Sequence, residues 1–261
     1  MASRPARPYA DTILVKVGNK TPSGGFAGTF GRLCRNLRPR LAALAALSDE
    51  ALSSLLGEGI VGRSERDVAT ELELRMRKLG AEGASFEPIV AAGPHGALPH
   101  ATPRDQEIGG DVLVTIDWGA KLEGYCSDCT RTFATGEEVS RRAREVYELV
   151  REAQELALQA VRAGKTGREL DAVARRVIER AGHGEHFGHG LGHGVGLDVH
   201  EAPRLSRTAG ELPLRPGNVV TIEPGVYLPG ELGVRIEDLV MVTEDGGEAV
   251  TAIPKELTVI G

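Results

Sequence analysis

Cysteine is scarce in this chain, long apolar runs are missing and positive charge is in deficit. Three cysteines in 261 residues are too few, and odd in number, for a disulfide framework, and they fit a reducing cytoplasm. No apolar run approaches the length that spans a bilayer, and no signal-peptide core follows the start, so no membrane partner is expected. A formal net charge of −6 argues against a nucleic-acid backbone as the main ligand. With 41% hydrophobic and 26% charged residues, the composition is that of a globular protein, long enough for one large domain or two small ones.

The positive charge that exists is concentrated at the start. Residues 1–40 hold Arg4, Arg7, Lys16, Lys20, Arg32, Arg35, Arg38 and Arg40 against the single acid Asp11. Such a leader has the composition of a transit peptide, of a flexible tail or of the remnant of an upstream domain. It reads as a basic, flexible extension over 1–39, with 21–31 loop-like, ahead of one catalytic domain over 40–261.

From Arg40 onward a pattern occurs twice. Apolar residues fall at helical spacing over 40–60 and 62–81, and strand-like runs follow at 84–93, 111–120 and 125–134. A second pair of helical stretches, 137–164 and 164–182, precedes strand-like runs at 218–228 and 232–242. The octets GRSERDVA and GKTGRELD open the second helix of each half with a Ser or Thr and an acid three residues on, a helix-start signal. The expected fold class is therefore α+β, built as a duplication.

Each half carries a pair of acids around a turn. A hairpin turning about 122–123 sets Asp117 opposite Asp128, and one centred on Gly230 sets Glu223 opposite Glu237. Like charges directly opposite one another destabilise a sheet. Two such pairs at equivalent places of a duplicated fold are best tolerated when cations sit between them, although solvent-facing acids would give the same spacing.

Histidines gather nearby: five of the seven lie between His183 and His200. Glycines at 188, 190, 192, 194 and 196 each cost a helix about 1 kcal/mol relative to alanine, which excludes a helical zinc motif. On an extended path His189 and His193 share a face and His200 takes the other. Carboxylates with one imidazole form an oxygen-rich donor set suited to Mn²⁺, Co²⁺, Zn²⁺ or Fe²⁺. Facing carboxylates can hold two ions about 3.5–4 Å apart, the separation found in two-metal hydrolases. Hydrolysis is the chemistry implied.

Together the stretches LPHATP (98–103), TIDWGA (115–120), YCSDCTRTF (125–133), GHGLGHGVGLDVHEAP (188–203) and TIEPGVYLPGELGVRIED (221–238) resemble the ordered motifs of the pita-bread metallopeptidases, in their Xaa-Pro aminopeptidase and prolidase branch. The resemblance implies a curved antiparallel sheet covered by helices. It implies two divalent ions, Mn²⁺ foremost, held by Asp117, Asp128, His193, Glu223 and Glu237. It further implies that a bridging hydroxide attacks the bond before proline, that Glu223 handles the proton, and that His200 and His100 stabilise the intermediate and orient substrate. His189 and Arg235 would support substrate binding. The implied partner is a peptide with proline at its second position, and a homodimer is compatible with the family.

Alternatives remain. Methionine aminopeptidases share the aspartate pair and the GHG stretch, but the close spacing of Glu223 and Glu237 follows the proline-specific branch. Proline-specific members usually carry a separate N-terminal domain, where this chain has about 40 residues that match no motif, so an aminopeptidase without proline selectivity is the second reading. A non-catalytic peptide- or partner-binding member of the fold is the third. A redox or zinc role for Cys126 and Cys129 is disfavoured because three positions apart in a strand they face opposite ways. Cys129 is expected in the core, Cys126 beside the metal-facing side, His95, His183 and His186 in loops or on the surface, and Trp118 and Tyr227 in packing.

Overall fold

The computed structural model describes residues 26–261, with side chains from residue 38 onward. Most of the basic leader lies outside the described residues. Its last part does not: α1 (Phe26–Leu56) is one helix running through Pro39, so the loop expected over 21–31 is helical from residue 26. Apolar spacing continues on both sides of residue 40, and the glycines at its start do not stop it.

The first half continues with α2 (Glu65–Leu79), short strands β1 (Gly83–Ala84) and β2 (Ile89–Ala92), and a hairpin of β3 (Leu113–Trp118), β4 (Ala120–Leu122), β5 (Tyr125–Cys126) and β6 (Cys129–Ala134). The second half begins with α3 (Arg141–Ala160) and α4 (Gly167–Arg180). Strands β7 (Gly192–Gly194), β8 (Glu201–Leu205), β9 (Val219–Ile222), β10 (Gly225–Leu228), β11 (Leu232–Arg235), β12 (Asp238–Val242) and β13 (Gly247–Ala249) follow. The helix-start octets act alike: Ser64 Oγ accepts from Asp67 N at 3.0 Å, and Thr166 and Glu169 cap each other reciprocally.

Two apolar cores repeat the same design. In the first, Leu44, Leu52 and Leu55 of α1 and Leu72 and Met76 of α2 cover Val114, Ile116 and Trp118 of β3. In the second, Val146 and Val150 of α3 and Leu170 and Ile178 of α4 cover Val220, Ile222 and Val240. Each sheet thus has one face sealed by a helix pair, and its polar residues are left to the other.

The hairpin registers differ in how they meet expectation. In the second half Gly225 pairs with Arg235 and Ile222 with Asp238, so the hairpin is centred on Gly230 and Glu223 lies level with Glu237. In the first, Asp117 pairs with Thr130, not Asp128. The turn sits at Glu123 and Gly124, both with positive φ (51° and 79°), one position later than expected, because a two-residue turn needs left-handed backbone at both central positions. The resulting slip is two residues, which preserves the face. Asp128 is therefore a diagonal neighbour of Asp117.

The halves join where β6 runs beside β11 and the start of β12. Glu237 N donates to Thr130 O at 3.0 Å, and Thr132 Oγ1 donates to Arg235 O at 3.0 Å. Backbone approaches backbone most closely at Gly233, where an added Cβ would collide with Gly96 O. We predict that Gly233→Ala lowers stability by about 1–3 kcal/mol through overpacking. Gly210→Ala, with open space around it, should stay within about 0.5 kcal/mol; urea midpoints of the two variants decide.

Candidate active site

The ladder of each hairpin is interrupted at three of the four acids, Asp117 alone remaining within a paired strand. Between β5 and β6, Ala120 N donates to Ser127 Oγ at 2.9 Å, and Ser85 Oγ donates to Ser127 O at 2.7 Å, which leaves Asp128 free of the strand pairing. Glu223 and Glu237 occupy the corresponding gap between β9–β12 and β10–β11. These breaks turn Asp128, Glu223 and Glu237 toward the cleft that Asp117 faces from within β3; it is about 800 Å³, walled by Phe86 and Ile89 and also lined by His100, His189, His193, His200 and Arg235. All nine residues singled out from the sequence line it.

His193 lies on β7. Its Nε2 is 3.2 Å from Glu223 Oε1 and 3.6 Å from Asp128 Oδ2, and its Nδ1–H donates to Gly194 O at 3.1 Å. Asp128, His193 and Glu237 each offer a donor atom within 4.8 Å of the others. Thr130 Oγ1 donates to Glu237 Oε2 at 2.6 Å, and Thr221 Oγ1 to Glu223 Oε1 at 2.8 Å.

Electrostatics divides the acids. Burial, followed by the charges of Glu237, Asp117 and Glu223, pushes Asp128 well above the usual carboxylate range. Burial and the charges of Glu223 and Asp117 do the same to Glu237. Asp117 is raised by burial even though Arg235 opposes the shift. Glu223, despite burial, is held down to about 2 by its hydrogen bond with His193. His193 shows the reverse: burial works to lower it, and Glu223 more than offsets that. Asp117 Oδ1 is buried and has no hydrogen-bond partner among the described residues. An orphaned carboxylate oxygen beside acids that raise one another's pKa fits a cation site, since uncompensated buried charge is costly.

Arg235 organises the opposite wall. Its Nη2 donates to Asp117 Oδ2 at 2.7 Å, its Nε to Thr130 Oγ1 at 3.0 Å, and its Nη1 to Pro99 O and the Tyr227 hydroxyl at 3.0 and 2.9 Å. The Tyr227 hydroxyl donates to His189 Nε2 at 2.9 Å, because His189 Nδ1–H is committed to Gly190 O at 2.8 Å. Tyr227, expected only to pack, is thus a hydrogen-bonding member of the site. One signal was available: it lies two residues beyond Gly225 on the strand that follows Glu223.

Other positions also differ from the reading of the sequence. His200 does not face away from His193: residues 196–200 bend back, and the two rings are 4.1 Å apart. His95 is buried, not superficial, with Nδ1–H donating to Glu65 Oε2 at 2.8 Å. Cys126 packs against Leu41, Val195, Val219 and Leu239 instead of lining the cleft; Cys129 is in the core as expected, as is Trp118, whose Nε1–H donates to Ser48 O at 3.0 Å. His183 and His186 stand 3.4 Å apart at Nδ1 in a short turn outside the cleft.

A family model described as metallopeptidase family M24 matches residues 40–244. The chain belongs to this family. The Xaa-Pro dipeptidase of Pyrococcus furiosus is 44% identical over 211 residues, which is 81% of this chain and 60% of that protein. Among solved structures, an X-Pro aminopeptidase from Thermotoga maritima has 43% identity and a TM-score of 0.81, over 84% of this chain and 62% of that one. An Xaa-Pro dipeptidase from Bacillus anthracis has 47% identity and a TM-score of 0.82, over 84% and 61%. The chain spans about three fifths of the length of these M24 relatives and shares their pita-bread α+β fold. No helix among the described residues is long and apolar enough to cross a membrane.

The charge pattern predicts how metal-free stability depends on pH. Groups raised in the fold (Asp128 and Glu237, and likewise His193) are better protonated folded than unfolded, so stability falls as pH rises through their titration. Glu223, lowered to about 2, acts the other way and loses its contribution only as pH drops below the ordinary carboxylate value. Thermal melts in EDTA should therefore show Tm declining from about pH 5 to about pH 8, and saturating Mn²⁺ should remove the decline. Equal slopes with and without Mn²⁺ would contradict this.

Proposed function

We propose that this M24 protein is a dinuclear metallopeptidase that cleaves the bond between an N-terminal residue and proline. The observation that carries the reading is the set of four carboxylates, three of them buried and Glu223 half-buried, with His193 in one cleft, and with Asp117 Oδ1 lacking a partner among the described residues. The names of its relatives, Xaa-Pro dipeptidase and X-Pro aminopeptidase, supply the substrate class.

Asp117, Asp128, His193, Glu223 and Glu237 would hold the ions, and the oxygen-rich set favours Mn²⁺, with Co²⁺, Zn²⁺ or Fe²⁺ as substitutes. When bound, such a pair supplies a Lewis acid for the scissile carbonyl and makes water a nucleophile near neutral pH. The protein's own groups do the rest. Glu223, kept ionised by His193, is placed to take a proton and pass it to the leaving prolyl nitrogen. His200 and His100, both on the open side of the cleft, donate hydrogen bonds to the charge that develops on the carbonyl oxygen and orient the substrate. Arg235 and His189, joined through the Tyr227 hydroxyl behind them, form a fixed wall that holds Asp117 and borders the substrate. The free, buried thiols of Cys126 and Cys129 support work in the cytoplasm.

The test is turnover of Ala-Pro, Ala-Pro-Ala and Met-Ala-Ala by protein stripped of metal and reloaded with Mn²⁺. Cleavage confined to the proline peptides is expected, and their ratio separates dipeptidase from aminopeptidase. Equal cleavage of all three would point to an unselective aminopeptidase, and no cleavage by folded, loaded protein to a binding role. Asp128→Asn should abolish turnover while leaving the circular dichroism spectrum unchanged; surviving activity would overturn the assignment of Asp128.

A further inference from the structure

The segment between α4 and β7, residues 187–191, carries His189 yet belongs to no strand. With glycine at 188 and 190, its backbone has little conformational preference of its own. It is nevertheless tied down by one ion pair on α4. Arg175 and Asp171, four residues apart and both almost fully buried, meet in a bidentate pair: Nε donates to Oδ2 and Nη2 to Oδ1, each at 2.8 Å. The same two side chains then grip the segment at three backbone points. Arg175 Nη1 donates to Phe187 O at 2.9 Å and Nη2 to His189 O at 2.7 Å. Asp171 Oδ1 accepts from Leu191 N at 3.1 Å. The guanidinium also lies 4.1 Å from the centroid of the Phe187 ring.

Two lines run from this clamp into the cleft. Through His189 the order passes to the Tyr227 hydroxyl, to Arg235 and so to Asp117. Through Leu191, whose carbonyl accepts from Glu223 N at 2.9 Å, it reaches the backbone of Glu223. A buried ion pair adds little net stability over well-packed apolar residues of the same volume. A planar, five-donor guanidinium that binds a carboxylate and two carbonyls at once instead fixes geometry.

We propose that Asp171 and Arg175 are positioning residues for the reaction: they set the backbone of 187–191 so that His189 accepts from Tyr227 and Glu223 stands level with Glu237. Neither residue touches the cleft, and both act through the segment they hold. The kinetic part of the proposal rests on the Xaa-Pro peptidase reading; the placement of His189 does not.

The test uses two variants of the full chain. Arg175→Lys keeps the charge but cannot span both carbonyls. Asp171→Leu/Arg175→Met removes both charges together and so leaves no unpaired charge buried. Each is measured for Mn²⁺ affinity by calorimetry, for kcat and KM on Ala-Pro, and for the downfield NMR signal of His189 Nδ1–H, assigned by its loss in His189→Gln. In folded variants we expect Mn²⁺ affinity to fall about tenfold, because Glu223 is both a ligand and held through Leu191, and KM to rise at most severalfold. We expect kcat to fall on the order of 10–100-fold, as small misplacements of reacting groups do, and the His189 signal to shift or broaden. A wild-type kcat and His189 signal in either folded variant would overturn the proposal. Unfolding of both variants would overturn it too, because the pair would then be a stability element. Should the parent protein cleave none of the peptides, the His189 signal alone decides the positioning claim, and the peptidase reading fails separately.

Discussion

Mutual repulsion among four carboxylates crowded into one cleft is the constraint around which this molecule is arranged. Asp117, Asp128, Glu223 and Glu237 come from two hairpins, one in each half, and meet where the halves join. Buried beside one another, such charges raise one another's pKa, as they do for Asp128 and Glu237. Arg235 and His193 offset part of this, Arg235 on Asp117 and His193 on Glu223. The remainder is what bound cations would offset, and Asp117 Oδ1, without a partner among the described residues, is the oxygen left to them.

A fold that must hold repelling groups together cannot rely on the site for its stability, and here it does not. The helix pairs seal two separate apolar cores behind the sheets. The join is stitched by threonines of β3 and β6 to the carbonyl of Gly233 and to Arg235. Behind Glu237, the next residue turns its carboxylate the other way: Asp238 accepts from Arg131 Nη2 at 2.7 Å, Gln154 Nε2 at 2.8 Å and Lys255 Nζ at 2.9 Å. Arg131 also donates to the Glu237 carbonyl. Adjacent acids on one strand thus serve opposite purposes, one facing the cleft and the other anchoring the chain from Thr251 to Lys255 to the core.

Much of this was legible in the sequence because it follows from period and spacing. The duplicated order of helices and strands, the caps at Ser64 and Thr166, and the level placement of Glu223 and Glu237 come from patterns that local physics dictates. Spacing alone sets the first hairpin two residues out of register because its turn holds Glu123, not a glycine, in left-handed backbone; alternation of faces keeps the aspartates together all the same. What stayed hidden depends on contacts distant in the chain. Tyr227 looked like packing until Arg235 and His189 met its hydroxyl, and His95 looked superficial until Glu65, 30 residues away, closed on it. His200 reached His193 only because residues 196–200 bend. The helix that opens at Phe26 extends the periodic region of 40–60 backward through a stretch rich in glycine and arginine, where composition suggested a loop.

The central claim is that these acids are gathered to hold a pair of divalent ions. Anomalous diffraction from crystals grown with Mn²⁺, collected on both sides of the manganese edge, tests it most directly. Two peaks enclosed by Asp117, Asp128, His193, Glu223 and Glu237 are predicted. Absence of anomalous density from that cleft at saturating Mn²⁺, or density confined to other residues, would contradict the account.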